Sequence, residues 1–266
     1  MDHLNKLEAL KENISKEKNI LIAFSGGIDS ALLLKVARDV LGKGAFCVIL
    51  DAKTVPRSEI KDAESFVKNL QVGYDIVKFP ILKDKDFIKN SFNRCYLCKK
   101  SSSGILKKIA LEKGIKRVAD GVNLSDLSKY RPGIKASEEE GIWHPFVDLE
   151  IEKADIRRIS KEIGIPFWDK PSSACLVSRI PYGEEITREK LRMIEKAEEF
   201  LKEEGFEVVR VRMYGRMARI EILKDDFDAF FRAKEEIAKE LKRIGFKYVT
   251  LDLEGYRSGS MDKALL

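Results

Sequence analysis

Histidine is almost missing from this chain. Among its 266 residues there are two, His3 and His144, which argues against a metal centre built on imidazoles. Cysteine is scarce as well. Four cysteines in a chain of this length do not make a disulfide framework, so the thiols are expected to be reduced or metal-bound. No apolar run approaches the ~18 residues of a membrane span. Internal repeats and low-complexity stretches are absent too. The opening stretch, MDHLNKLEALKENISKEKN, reads as a polar amphipathic helix and not as a signal peptide. A soluble cytoplasmic protein is the expectation.

What is present is a core and a charged surface. Hydrophobic residues make up 44% and charged residues 35% of the chain, and Lys and Glu dominate the charge, a balance that suits a heat-tolerant protein. The length accommodates a large domain, or one large and one small. A net charge of +6 favours an anionic ligand, but it is spread along the chain and is mild for a nucleic-acid binder.

Short apolar runs alternate with helical patterns as far as about residue 165. NILIAF (19–24), AFCVIL (45–50), YDIVKF (74–79) and KRVADG (116–121) read as strands. Helical patterns fall at 30–42, 57–70, 99–114 and 153–164. Apolar strands joined by helices predict an α/β fold, a doubly wound parallel sheet covered on both faces. The loop 165–182 breaks the rhythm. Beyond it come a helix (187–204), a hairpin across Gly215, a helix (226–243) and a last strand, KYVTLDL. This predicts a domain over 1–180 and a smaller C-terminal α+β domain over 181–266.

ILIAFSGGIDSALLLK is the most informative segment. A buried strand runs into Ser25-Gly26-Gly27, and a helix starts near Asp29 and Ser30. Glycines allow a sharp turn that brings successive N–H groups toward an anion, and the helix adds free N–H groups and the positive end of its dipole. The Ser25 and Ser30 hydroxyls suit phosphate oxygens. Asp29 suits a helix cap or a magnesium ion. No lysine follows the glycines, so this is not a Walker A loop. The motif resembles the PP-loop of the ATP pyrophosphatase superfamily, a HUP-like, adenine nucleotide alpha hydrolase-like fold. That resemblance implies ATP cleaved between its α and β phosphates.

Ligands of an open parallel sheet gather beyond the carboxyl ends of its strands. There the sequence offers Asp51 and the group Asp120-Gly121-Val122-Asn123, read either as nucleotide contacts or as turn chemistry. Arg131, before a Pro-Gly turn, is either a phosphate clamp or an exposed loop arginine. Cys47 reads as a small buried apolar residue. Cys95 and Cys98 form NRCYLCKK, and a third thiol, Cys175, lies in KPSSACLVSRIPYG. Three thiolates suit a 4Fe-4S cluster with one iron left open. A zinc ion completed by water, or independent thiols, are the other readings.

Nearly end to end, the chain resembles the LarE family of ATP-dependent sulfur transferases, which serve nickel-pincer cofactor synthesis. The similar stretches are AFSGGIDSALLLKVA, DGVNLSDLSKYRPGIKA, KPSSACLVSRIPYG, VRVRMYGRMARIEI and LEGYRSGSMDKALL. KPSSACLVSRIPYG is the part that separates this family from its relatives. The resemblance implies ATP and Mg2+ at Ser25, Gly26, Gly27, Asp29 and Ser30. It implies adenylation of a carboxylate of a pyridinium dicarboxylate mononucleotide, then conversion to a thiocarboxylate. In one-cysteine members the thiol at the Cys175 position is consumed, leaving dehydroalanine. With Cys95 and Cys98 added, this chain resembles the three-cysteine branch, in which the thiols hold a 4Fe-4S cluster and the transferred sulfur is a sulfide on the open iron.

Arg179 is then a cation that lowers the pKa of the Cys175 thiol, or else a surface ion pair. Arg210 and Arg212 share a strand face and either bind the substrate phosphate or form a solvated face. The family also implies a homo-oligomer. It leaves the sulfur donor open. Competing readings are a tRNA thiolase, an amide ligase such as an NAD synthetase, and a nucleotide sensor without turnover.

Overall fold

A computed structural model describes residues 2–128, 132–171 and 174–257. The chain divides into two compact units, Met1–Ile81 with Asn93–Ser173, and Leu82–Phe92 with Ala174–Leu266.

The first unit opens with α1 (His3–Ser15), β1 (Ile20–Ala23), α2 (Ile28–Leu41), β2 (Ala45–Asp51), α3 (Arg57–Leu70) and β3 (Gly73–Lys78). The chain then crosses to the second unit for one short helix, α4 (Lys85–Ile88), and returns. There follow α5 (Arg94–Glu112), β4 (Arg117–Ala119), α6 (Leu124–Leu127), α7 (Pro132–Glu139), α8 (Pro145–Asp148) and α9 (Lys153–Glu162).

The strands form one parallel sheet in the order β3-β2-β1-β4. Period-two alternation sorts their side chains to opposite faces. Ile20, Ile22, Cys47 and Ile49 pack with Leu10 and Ile14 of α1, Leu33 of α2 and Ile156 and Ile159 of α9. Leu21, Val48 and Val118 pack on the other side with Leu106 and Ala110 of α5. Helices therefore cover both faces, as the alternating pattern predicted. Burial, with a smaller contribution from the Asp75 charge, pushes the Cys47 thiol up to about 12, so it is inert core. The edge strand β3 departs from the prediction of a strand apolar throughout, because its side chains are half-buried or exposed.

Because β1 sends the chain toward β2 and β3 on one side while β4 lies on the other, the switch point of the sheet falls between β1 and β4. Their carboxyl ends face one crevice. A further bridge, Ala119 with Trp143, extends the β4 side, with Asp120 N–H donating to the Trp143 carbonyl at 3.1 Å. This sets His144 next to Asp120.

The second unit holds α10 (Arg188–Glu203), β5 (Val209–Tyr214), β6 (Met217–Ile222), α11 (Phe227–Ile244) and β7 (Tyr248–Leu251). β5 and β6 form the expected hairpin, and β7 joins β6 in parallel. Val211, Met213 and Ile220 are buried, as are Ile194 and Leu201 of α10 and Ile237 and Leu241 of α11. The α4 segment is tied to this unit by backbone bonds from Gly183 to Asn90 (3.0 Å) and from Ile186 to Ile88 (2.8 Å). Asn90 also donates its side-chain amide to the Pro181 carbonyl at 2.7 Å. No helix among the described residues is long and apolar enough to cross a membrane.

Candidate active site

The loop after β1 is shaped by its own hydroxyls. Ser30 donates to the Gly27 carbonyl (3.0 Å), and its oxygen accepts from the Ser25 N–H (3.2 Å) and lies 3.1 Å from the Ser25 hydroxyl. Gly26 sits at φ +79°, and a Cβ there would stand 3.3 Å from the Ala63 Cβ on α3. Only glycine suits both demands. Gly27, and not Asp29, is the N-cap of α2, with no side-chain bond to the helix. The first N–H groups of α2 therefore remain available to an anion.

Asp29 has other work. Both its oxygens receive Lys153 Nζ, at 2.6 and 2.7 Å, and Oδ1 also accepts from Asn123 Nδ2 at 3.4 Å. The reading of Asp29 as a helix cap is thus corrected: its carboxylate turns away from the helix end toward the loop after β4 and the start of α9.

That loop presses directly on the phosphate loop. A Cβ on Gly121 would lie 2.7 Å from the Ser30 nitrogen and 2.8 Å from the Asp29 carbonyl carbon. Gly121 is a close-approach glycine, more than a turn former. Its neighbour Asp120 is buried and bonded on both oxygens, to Lys99 Nζ at 2.5 Å and His144 Nδ1 at 2.7 Å. Burial alone would raise the Asp120 carboxyl. The Lys99 charge and the His144 bond outweigh it and hold the group well below the usual carboxylate range. His144 reaches Ser137 with its other nitrogen at 3.2 Å. Ser137 is fully buried and bonded to the Ile134 carbonyl at 2.8 Å, so the three groups brace the fold and do not present a nucleophile.

Lys99 brings the cysteine pair to this crevice. The predicted helix at 99–114 in fact starts at Arg94, so Cys95 and Cys98 lie inside α5 and not ahead of it. Residues three apart share a helix face. Cys95 is exposed and Cys98 half-buried. They occupy the first turns of a 19-residue helix. Gly133 of α7 backs this turn, its Cβ position 3.4 Å from the Cys95 carbonyl oxygen. A C-x-x-C pair of this kind offers soft sulfur donors of the type that an iron–sulfur cluster takes. Within either unit, among the described residues, no three His, Cys, Asp or Glu side chains group as a metal site.

Cys175 belongs to the second unit. It is exposed and caps a short 3-10 turn, Leu176–Arg179. Arg179 folds back beneath it, giving Nη1 to the carbonyls of Ala174 (2.7 Å) and Cys175 (3.1 Å). Nε and Nη2 pair with the two oxygens of Glu198 at 2.8 and 2.9 Å. The reading of Arg179 as a surface ion pair is corrected, since the guanidinium is internal and holds the backbone. Burial would raise the Glu198 acid, but Arg179 keeps it below its ordinary value. Arg212 is likewise buried, donating to the Ser178 carbonyl at 2.9 Å and to Glu221 at 2.8 Å. Arg210 is half-buried, bonded to the Val209 carbonyl at 2.8 Å and stacked 5.4 Å from the Tyr256 ring centre.

At the end of β2, Asp51 pairs with Arg57, whose guanidinium also bonds the Ala52 carbonyl and the Val55 carbonyl, the latter at 3.0 Å. Arg131 lies outside the described residues. Sequence reasoning missed Lys99, His144, Lys153 and Glu198. For Glu198 a signal existed, because an acid shares the apolar stripe of α10 with Leu191, Ile194 and Leu201. For Lys153, the first residue of a helix, there was none.

A family model described as NAD synthase matches residues 4–100. Among curated relatives, an uncharacterised protein of Synechocystis sp. is 40% identical over 98% of this chain and 98% of its own. An uncharacterised protein of Methanocaldococcus jannaschii is 39% identical over 97% of this chain and 100% of its own. The pyridinium-3,5-bisthiocarboxylic acid mononucleotide synthase of Lactiplantibacillus plantarum is 34% identical over 93% of this chain and 90% of its own.

Proposed function

Since the chain belongs to the LarE family, that of the pyridinium-3,5-bisthiocarboxylic acid mononucleotide synthase, we propose that it is an ATP-dependent sulfur transferase. It adenylates a carboxylate of a pyridinium dicarboxylate mononucleotide, releases pyrophosphate and yields a thiocarboxylate for nickel-pincer cofactor synthesis. The observation that carries this reading is the contact chain inside the first unit. The turn bearing Cys95 and Cys98 is tied through Lys99 to Asp120, and Gly121 abuts Asp29 and Ser30 of the phosphate loop.

In the first step a substrate carboxylate oxygen attacks the α-phosphorus of ATP, and the bond to the bridging oxygen breaks, so that pyrophosphate leaves with the electron pair. The N–H groups at the start of α2 and the loop around Gly26 and Gly27 receive the phosphates. Asp29 is the loop carboxylate suited to Mg2+. In the second step sulfur adds to the acyl carbon and AMP leaves with the C–O pair. Cys95, Cys98 and Cys175 would hold a 4Fe-4S cluster, whose chemistry there would be an open iron able to carry that sulfur as sulfide. Arg179 fixes the backbone that presents Cys175, and Arg210, the least enclosed arginine of β5, is available to the substrate phosphate. Residues 1–180 serve the nucleotide, and residues 181–266 serve the substrate and association into a homo-oligomer.

The test is pyrophosphate release from ATP that depends on the pyridinium substrate, followed by mass analysis of the Cys175 peptide. Anaerobically purified protein is expected to hold about four irons and as many labile sulfides, and Cys175 to keep its mass through turnover. Conversion of Cys175 to dehydroalanine would make its own sulfur the one transferred. Pyrophosphate release driven by tRNA in place of the mononucleotide would overturn the substrate.

A further inference from the structure

Lys153 has no part in the reading above, yet it is placed on the one carboxylate of the phosphate loop. Its Nζ stands 2.6 and 2.7 Å from the two Asp29 oxygens, across 124 residues of chain. Its backbone N–H is held by the Ser125 hydroxyl at 3.1 Å, so the stem is anchored beside the crevice while the ammonium spans to Asp29. Both side chains keep a quarter of their surface in water, 28% for Lys153 and 25% for Asp29.

A bare carboxylate beside an anion cradle repels phosphates, and a cation must cover it. A single ammonium leaves the pair neutral, whereas a divalent ion on the same carboxylate leaves a net positive charge to meet the triphosphate. Lysine suits a temporary partner: it is a compact charge on a flexible stem, without the fixed fork by which arginine locks a carboxylate. Partial exposure lets water and ions reach the pair and keeps the bond weak enough to exchange.

We infer that Lys153 is a stand-in cation. It covers Asp29 while the loop is without nucleotide, and it gives up that carboxylate to the divalent ion that arrives with ATP. Its freed ammonium then faces the phosphates. This positioning role rests on the phosphate loop binding a nucleotide with its metal, as proposed above.

The experiment counts Mn2+ bound to the nucleotide-free full chain from the loss of the free-ion electron paramagnetic resonance signal. Lys153→Gln is expected to bind Mn2+ about fivefold more tightly than the wild type, and Asp29→Asn to abolish that binding in either background. Lys153→Arg, which keeps a cation on Asp29 and grips it with a fork, is expected to bind Mn2+ no more tightly than the wild type. If the glutamine variant fails to fold, Lys153→Met takes its place. A lysine that merely ties α9 to α2 predicts equal or weaker Mn2+ binding once removed. That result, or no Mn2+ binding in any of the proteins, or tighter binding that survives Asp29→Asn, overturns the inference. Substrate-dependent pyrophosphate release by the wild type is measured alongside. Its absence removes the proposed reaction and leaves the Mn2+ comparison standing, while normal release with unchanged Mn2+ affinity removes the stand-in role alone.

Discussion

The two units use charge in opposite ways. Around the phosphate loop the lysines keep one side in water: Lys153 on Asp29 is 28% exposed against 25%, and Lys99 is 27% exposed over the buried Asp120 at 6%. Around the turn that carries Cys175 they are sealed: Arg179 and Glu198 are 2% and 6% exposed, Arg212 and Glu221 6% and 0%. A half-wet pair contributes little stability and changes partners easily. A sealed pair is costly to break because either partner alone is a desolvated charge. The first unit therefore leaves Asp29, Lys153 and Lys99 where a polyanion and a metal ion can recruit them, and the second uses its sealed pairs to hold a backbone turn in one shape.

The sharpest way to break this contrast is Glu198→Gln. It leaves Arg179 buried without a counter-charge and is expected to cost about 3–5 kcal/mol, read from urea unfolding. A loss no larger than that of a surface pair would show that the second unit's charges are as exchangeable as the first's. Next in size is Gly121→Ala, whose methyl group would press on the backbone at Ser30 and Asp29. Overpacking of this kind costs about 1–3 kcal/mol, and here it is expected to weaken ATP binding as well, measured by calorimetry. Unaltered affinity would uncouple the β4 loop from the phosphate loop.

The smallest effect belongs to Lys99→Met, about 1 kcal/mol at neutral pH, with a defined pH dependence. The native Asp120 acid lies below its unfolded value, so its ionic partnership contributes stability that is fully present above the ordinary carboxylate range near ~4 and is lost as pH falls through the depressed value. The stability gap between wild type and variant should close on acidification below about pH 4. A gap constant from pH 7 to pH 2 would show that Lys99 acts by packing alone.

Legibility in the sequence followed the range of the interaction. The β1 strand, the glycine turn and α2 were readable because dihedral freedom, capping and hydrophobic period act over a few residues. So were β2, the β5–β6 hairpin and the long helices. The start of α5 was misplaced because NRCYLC lacks an apolar period and its helix is stabilised by α7, which Gly133 brings onto the Cys95 turn. The sequence assigns no element to the short α4 segment, since its place depends on backbone bonds from residues 183 and 186. Arg179 was visible as a cation near Cys175, but its acid lies 19 residues on, and the place of Glu198 on the apolar stripe of α10 marks it as buried without naming its partner.

By itself the sequence determined an α/β sheet with an anion-binding turn after its first strand, because those features are written in local periodicity and in the residues a tight turn tolerates. Only the tertiary structure decided which charge meets which: Lys153 on Asp29, Lys99 and His144 on Asp120, Glu198 under Arg179. Ion pairs between distant segments leave no spacing to read. They depend on packing that brings two side chains within about 3 Å of each other, and that packing is a property of the whole fold.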